Sequence, residues 1–244
     1  MQSKIKIGCS GFPVAQKRYQ EKFPLVELNQ LFKKTPLDRT VEKWRRTASK
    51  GFEFIVCASE TITHHASSAS LLSTKSMTHH HHSGHFQDNA HVRQAFQKTI
   101  HMAETLASKV VIFKLPSNLT AHADNVGRLH QFFKAHPRHD KLFVWEPPHS
   151  WPHSLVEQLT TKLNLTPATN PLNARIKLNG PFRYFRLGNA TQTKGIHQFT
   201  NWELDSIKKA CDKPLCYVIF NNGPTAYEDA LRFSKMTGTN TLTP

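Results

Sequence analysis

The chain is short of acid. It carries 17 Asp and Glu against 32 Lys and Arg, a formal net charge of +15, with a sequence pI near 9.9. A surplus of this size sets up a positive field that attracts polyanions and speeds their encounter. The 16 histidines add sites that charge below about pH 6.5. Cysteine is also scarce: Cys9, Cys57, Cys211 and Cys216 show no C-x-x-C spacing, which speaks against a zinc module. They read as buried free thiols in a reducing compartment. No apolar run approaches the roughly 18 residues of a membrane span, and Met1 to Ile7 lacks the apolar core of a leader. A cytoplasmic, monomeric protein that makes no membrane contact is expected. No recognised nucleic-acid motif, internal repeat or linker of distinct composition is visible, so residues 1–244 read as one domain.

What is present is a series of short apolar runs that end on polar side chains. Val26-Glu27-Leu28-Asn29 is one, and Leu142-Phe143-Val144-Trp145-Glu146 is another. Tyr184-Phe185-Arg186 and Tyr217-Val218-Ile219-Phe220-Asn221-Asn222 repeat the pattern. Strands that are apolar along their length and polar at the C-terminal tip are what a parallel β/α barrel uses to build a site at its mouth. Strands are predicted at 5–9, 25–28, 52–58, 110–113, 142–145, 165–169, 184–187 and 216–220. The sixth is the weakest, because Pro167 cannot donate to a ladder. Helical periodicity appears at 40–50, from 88 to about 106, up to Ala135 with Thr120 as its cap, at 154–163, at 200–210 and at 227–236. The alternation gives an α/β fold, a TIM-type (β/α)8 barrel irregular at strand six, for which 244 residues and 38% hydrophobic residues are ample. Residues 60–87 form a polar excursion rich in Ser, Thr and His.

Several segments occur in an order that identifies a family. Ile7-Gly8-Cys9-Ser10-Gly11, Val26-Glu27-Leu28-Asn29, Phe52-Glu53-Phe54, Ile62-Thr63-His64, Leu115-Pro116, Glu146 through His149-Ser150-Trp151, and Phe220-Asn221-Asn222 together resemble the YecE-like family, domain of unknown function 72. The resemblance runs from about Lys4 to Leu231. It implies a TIM-type barrel and no established activity. The chain departs from the family pattern at Pro147-Pro148, where an Arg is usual, and at Gly188-Asn189, where His-Gly is common. It also departs near Asn170 and at Gly223, where aspartates are usual. These changes remove charged or titratable groups from the mouth.

Alternate residues of a strand share a face. If Glu27 and Asn29 point into the barrel, then Val144 with Glu146, Tyr184 with Arg186, and Ile219 with Asn221 do likewise, and His64 follows strand three. Two carboxylates in an apolar mouth can hold different pKa values, so Glu27 and Glu146 are the candidate catalytic acid–base pair. Asn29, His64, Arg186, Asn221, Asn222, Lys17 and Arg18 are the candidate ligand-binding residues, an Arg being suited to bidentate recognition of phosphate or carboxylate. Alternatively Arg186 only neutralises Glu27 or Glu146, and Asn221-Asn222 only makes a turn. Phe12, Tyr19 and Phe23 among Lys17, Arg18 and Lys22 form a basic-aromatic stretch suited to stacking bases, unless Phe23 is core. Cys9 reads as a buried small residue rather than a nucleophile served by His64. His79 to His82 with His85 invite a metal, but adjacent histidines in a polar loop give no fixed geometry. A mouth metal on Glu27, His64 and Glu146 lacks supporting spacing, so no metal or cofactor is expected.

The expected function is binding of an anionic ligand at the C-terminal mouth, a phosphorylated small molecule or nucleic acid, with hydrolysis of a phosphoester or glycosidic bond by the paired carboxylates. The alternative is a non-catalytic nucleic-acid-binding protein whose carboxylate–Arg network is structural.

Overall fold

The computed structural model describes residues 4–65, 84–173, 180–188 and 197–239. Eight strands follow one another round a closed barrel: β1 Lys4–Ser10, β2 Leu25–Leu28, β3 Glu53–Cys57, β4 Val110–Lys114, β5 Leu142–Glu146, β6 Thr166–Thr169, β7 Phe182–Leu187 and β8 Leu215–Phe220. Every neighbouring pair is parallel, and β1 closes on β8 with Ile5 opposite Cys216 and Cys9 opposite Phe220. The connections carry α1 Gln16–Gln20, α2 Gln30–Lys33, α3 Asp38–Thr47, α4 Glu60–Thr63, α5 Ala90–Thr105, α6 Ala123–Ala135, α7 His153–Lys162, α8 Asn201–Ala210 and α9 Ala226–Thr237.

The alternation of each strand divides the apolar residues into two cores. Leu25, Ile55, Cys57, Val110, Ile112, Val144, Tyr184 and Ile219 fill the barrel. Val26, Phe54, Val56, Val111, Phe113, Trp145, Phe185 and Val218 face the helices. Each fully buried side chain of this size contributes roughly 1.5–3 kcal/mol. The lower end of the barrel is closed by Lys6, which pairs with Glu53 and lies over the Tyr217 ring, whose hydroxyl donates to Glu53 at 3.3 Å. Between β1 and β2 the approach is so close that a Cβ on Gly8 would stand 2.4 Å from Leu25 Cδ1 and 2.5 Å from the Leu25 carbonyl oxygen.

The structure differs from the sequence expectation in places that have local causes. Thr120 does not cap α6, which begins at Ala123 behind His122. Instead Asn125 turns back to donate to the Thr120 carbonyl and hydroxyl. The basic stretch after β1 contains α1, and α2 and α4 are further short helical turns, the last capped by Ser59, which accepts from the Thr61 N–H. β6 accommodates Pro167 because its ladder is thin. Only Thr166 and Pro167 register with β5, and only Ala168 and Thr169 with β7. Thr200 does cap α8, in a reciprocal capping box with Glu203.

In the polar excursion, Gly84, His85 and Phe86 return to α4 itself. Their N–H groups donate to the carbonyls of Thr61, Thr63 and Ile62 at 2.7, 3.2 and 2.9 Å. Gly84 has φ +83°, and a Cβ there would meet the His64 carbonyl oxygen at 2.1 Å. Phe86 is buried against Phe132 and Phe133. The run His79 to His82 lies outside the described residues.

Candidate functional site

The polar tips of the strands meet at the C-terminal mouth. Glu27 is the next inward residue of β2 after Leu25, and it is fully buried. Its carboxylate accepts from the Ser10 hydroxyl at 2.7 Å, from the Tyr184 hydroxyl at 2.8 Å and from Arg186 Nε at 3.1 and 3.2 Å. Arg186, two residues beyond Tyr184 on β7, then turns its Nη1 to Glu146 at 3.0 and 3.1 Å. With its amide oxygen towards the guanidinium, Asn221 accepts from Nη1 at 3.3 Å and Nη2 at 3.2 Å, and its amide nitrogen donates to the Ser10 hydroxyl at 3.3 Å. One guanidinium thus joins β2, β5, β7 and the end of β8.

The two carboxylates are not equivalent. Burial works to raise the pKa of Glu27, but Arg186, Lys114 and the donated hydrogen bonds outweigh it and hold the carboxyl below the ordinary range. Glu27 is therefore a fixed anion. Glu146 keeps 34% of its side-chain surface and stands at the open edge of the guanidinium. Arg186 is opposed by burial, yet the pull of Glu27 and Glu146 prevails and tightens its proton. Burial, and then the Glu27 charge, push the Tyr184 hydroxyl up. Burial likewise pushes up the thiol of Cys57, inside the same barrel.

Lys114 completes the ring. It registers with Glu146 across β4 and β5 and continues the inward series Val110, Ile112. Its ammonium lies 3.9 Å over the ring of Phe32, on α2. The same ring meets the edge of His64 with centroids 4.9 Å apart. His64 follows α4 and shares a 2.8 Å hydrogen bond between its Nδ1 and the Thr63 hydroxyl. Burial, helped by the charge of Lys114, lowers its pKa to about 4, so the imidazole is neutral at neutral pH.

Of the residues singled out in the sequence, Glu27, Glu146, Arg186 and Asn221 are brought into one hydrogen-bonded cluster, with His64 beside Lys114. Asn29 stands at the start of α2, where its amide nitrogen donates to the Ser10 carbonyl at 3.5 Å. Asn222 is directed elsewhere: its amide nitrogen donates to the His197 carbonyl, the Thr225 hydroxyl and the buried Asp229 carboxylate. Lys17 and Arg18 lie exposed on α1. The stacking surface expected beside them is not formed, because Tyr19 and Phe23 are core residues. The Tyr19 hydroxyl is used internally, accepting from Cys9 N–H at 2.6 Å and donating to the Leu25 carbonyl at 2.9 Å. Cys9 is buried on the helix side of β1, and burial pushes its thiol up to about 12. Among the described residues no group of three or more His, Cys, Asp or Glu is gathered around a metal position. The set Glu27, His64 and Glu146 is accordingly not assembled, Glu27 and Glu146 being held by different nitrogens of one guanidinium.

Ser10, Tyr184, Phe32 and Lys114 are the members that periodicity alone does not single out as ligand-binding. A signal for Lys114 exists: the run Val110-Val111-Ile112-Phe113 ends on it just as another ends on Glu146.

A family model described as a protein of unknown function, DUF72, matches residues 15–244. No curated protein matches. Among solved structures, a DUF72 family protein from Thermotoga maritima MSB8 superposes with a TM-score of 0.70 at 19% identity, covering 96% of this chain and 99% of that one. Another, from Enterococcus faecalis V583, gives 0.69 at 17% identity, covering 97% and 98%. A xylose isomerase domain containing protein from Salmonella typhimurium LT2 gives 0.59 at 10% identity, covering 98% of each chain. At these identities the likeness is one of fold.

Proposed function

The chain belongs to the DUF72 family of proteins of unknown function, and from the chemistry of its own barrel mouth we propose that it binds a small anionic compound, a phosphorylated one, between Lys114 and the open edge of Arg186. The observation that carries this is the state of Lys114. Among the described residues its ammonium meets the face of Phe32 and no carboxylate. An ammonium with three donors at the rim of an otherwise hydrogen-bonded site is a ready point charge for phosphate. Arg186 offers the second cation, already oriented by Glu27. The adjacent His64 is neutral and can donate or accept without adding charge.

Glu146, partly exposed and in contact with Arg186 Nη1, is the residue placed to exchange a proton with a bound substrate. Glu27 is saturated with donors and shut away from solvent, so its part is to position Arg186. Catalysis, on this reading, uses Glu146 and a water to hydrolyse a phosphoester or glycosidic bond in a ligand whose anionic group rests on Lys114.

The test is calorimetric titration with inorganic phosphate, sugar phosphates and mononucleotides. Saturable binding that weakens at least tenfold in Lys114→Met and persists in Glu146→Gln supports the site, and turnover lost in Glu146→Gln supports the catalytic role. Binding that is unchanged in Lys114→Met, or no binding of any phosphorylated compound, overturns it.

A further inference from the structure

The positive charge is not evenly neutralised over the barrel. Around much of it cations have acidic partners: Arg93 pairs with Asp88, Lys109 with Asp140, Lys209 with Asp205 and Arg232 with Asp229. Residues 16–50 are different. Nine Lys and Arg are exposed there against three exposed carboxylates. Arg39, Lys43 and Arg46 are spaced i, i+4, i+7 and so form one solvent-side stripe of α3, opposite the buried Val41. Lys33 and Lys34 stand at the end of α2, four residues before α3 begins in the chain, and α2 reaches the mouth through Phe32.

α1 belongs to the same sector. Tyr19 of α1 packs its ring on Phe52 at 6.5 Å between centroids, and Arg45 of α3 donates to the Phe52 carbonyl at 2.8 Å. Both helices are thereby fixed around one residue, and Lys17 and Arg18 face solvent beside them. Among the described residues, none of Arg39, Lys43, Arg46, Lys33 and Lys34 has a carboxylate partner. The like charges of Arg39 and Lys43 at i, i+4 cost the helix about 0.2–0.5 kcal/mol. Arg39 to Arg46 spans about 10 Å at 1.5 Å per residue, a length over which duplex DNA presents about six phosphates at one per 1.7 Å.

We infer that the α1–α2–α3 face binds the phosphate backbone of a nucleic acid. The contacts are to phosphates, without base readout, and the face lies outside the mouth cluster of Glu27, Glu146 and Arg186. It stands independently of any ligand bound between Lys114 and Arg186.

Fluorescence anisotropy of labelled single-stranded and duplex oligonucleotides, over a salt series, tests it with two triple variants of equal charge change. The first, Arg39→Glu with Lys43→Glu and Arg46→Glu, reverses the α3 stripe. The second, Lys134→Glu with Lys162→Glu and Lys209→Glu, reverses exposed lysines on α6, α7 and α8. The wild-type chain is expected to bind with log K falling linearly in log salt. The stripe variant is expected to lose about 0.9 of slope per phosphate contact for duplex and 0.7 for single strand, hence two to three units of slope in all, while the second triple keeps the wild-type slope. Both are checked for native circular dichroism, and Lys43→Ala alone, which adds no like-for-unlike reversal, should weaken binding severalfold if the triple misfolds. Equal weakening by the two triples would show a field of the whole chain and overturn the assignment. Absence of binding at low salt, or binding to anionic vesicles but not to oligonucleotides, would overturn it too.

Discussion

Arg186 Nε lies 3.1 and 3.2 Å from the two carboxylate oxygens of Glu27, a side chain with no solvent exposure. A buried carboxylate that loses its cation becomes an uncompensated charge, which costs about 3–5 kcal/mol. Arg186→Met is therefore expected to lower the denaturant midpoint of unfolding by an amount of that order. Adding Glu27→Gln to it should restore part of the loss, because the double variant leaves no buried charge. A double variant no more stable than Arg186→Met would show that Glu27 is not the source of the penalty.

Glu146 shares the same guanidinium but keeps a third of its side-chain surface. Its attraction to Arg186 is screened, and exposed pairs contribute about 0–1 kcal/mol. Glu146→Gln should thus fold with a melting temperature close to the wild-type value. A loss as large as that of Arg186→Met would place Glu146 among the structural residues.

Two groups of the mouth add to the acid limb of the stability curve. The folded chain lowers the His64 pKa from 6.5 to about 4, so between those values the unfolded chain binds more protons. Stability is fully present above pH 6.5 and falls as the pH is lowered towards 4. Glu27 is held below its ordinary 4.5, so its contribution is present above pH 4.5 and is lost as the pH drops through the lower folded value. Melting temperatures across pH 3–7 should show His64→Asn flattened in the upper window and Glu27→Gln flattened in the lower. An unchanged upper window in His64→Asn would refute the buried neutral imidazole.

Gly8→Ala would set a methyl against both the side chain and the carbonyl of Leu25. Overpacking of this kind costs typically 1–3 kcal/mol, and here one of the obstructing atoms is backbone. The expected result is a clear loss of melting temperature, with full recovery not available from Leu25→Ala, since the carbonyl remains. Thr200→Ala, which removes half of the α8 capping box, is expected to cost about 1 kcal/mol by the same measurement.

The barrel was legible because its strands are read by a period of two and its main helices by a period of 3.6. Val26 and Leu28 face the helices and Glu27 the interior, as alternation requires. What periodicity does not carry is the direction and partner of a side chain past the last strand residue. Asn221 and Asn222 are adjacent and alike, yet one turns to Arg186 and the other to Asp229. Tyr19 and Phe23 sit among charges in the chain, but their rings belong to the core, because α1 has only one turn in which to bury an apolar side. Lys114 looks like a surface lysine following an apolar run until the closure of β4 on β5 brings it level with Glu146.

The backbone bonds from Gly84, His85 and Phe86 to Thr61, Thr63 and Ile62 draw the two flanks of the intervening sequence to a single point. The two flanks are held by backbone groups, whatever the intervening sequence. Residues can be added to or removed from it for an entropic cost that grows only with the logarithm of its length, about 0.6 kcal/mol per doubling. The flanks beside His64 are therefore tied to each other by bonds that do not draw on the side chains of the sequence between them.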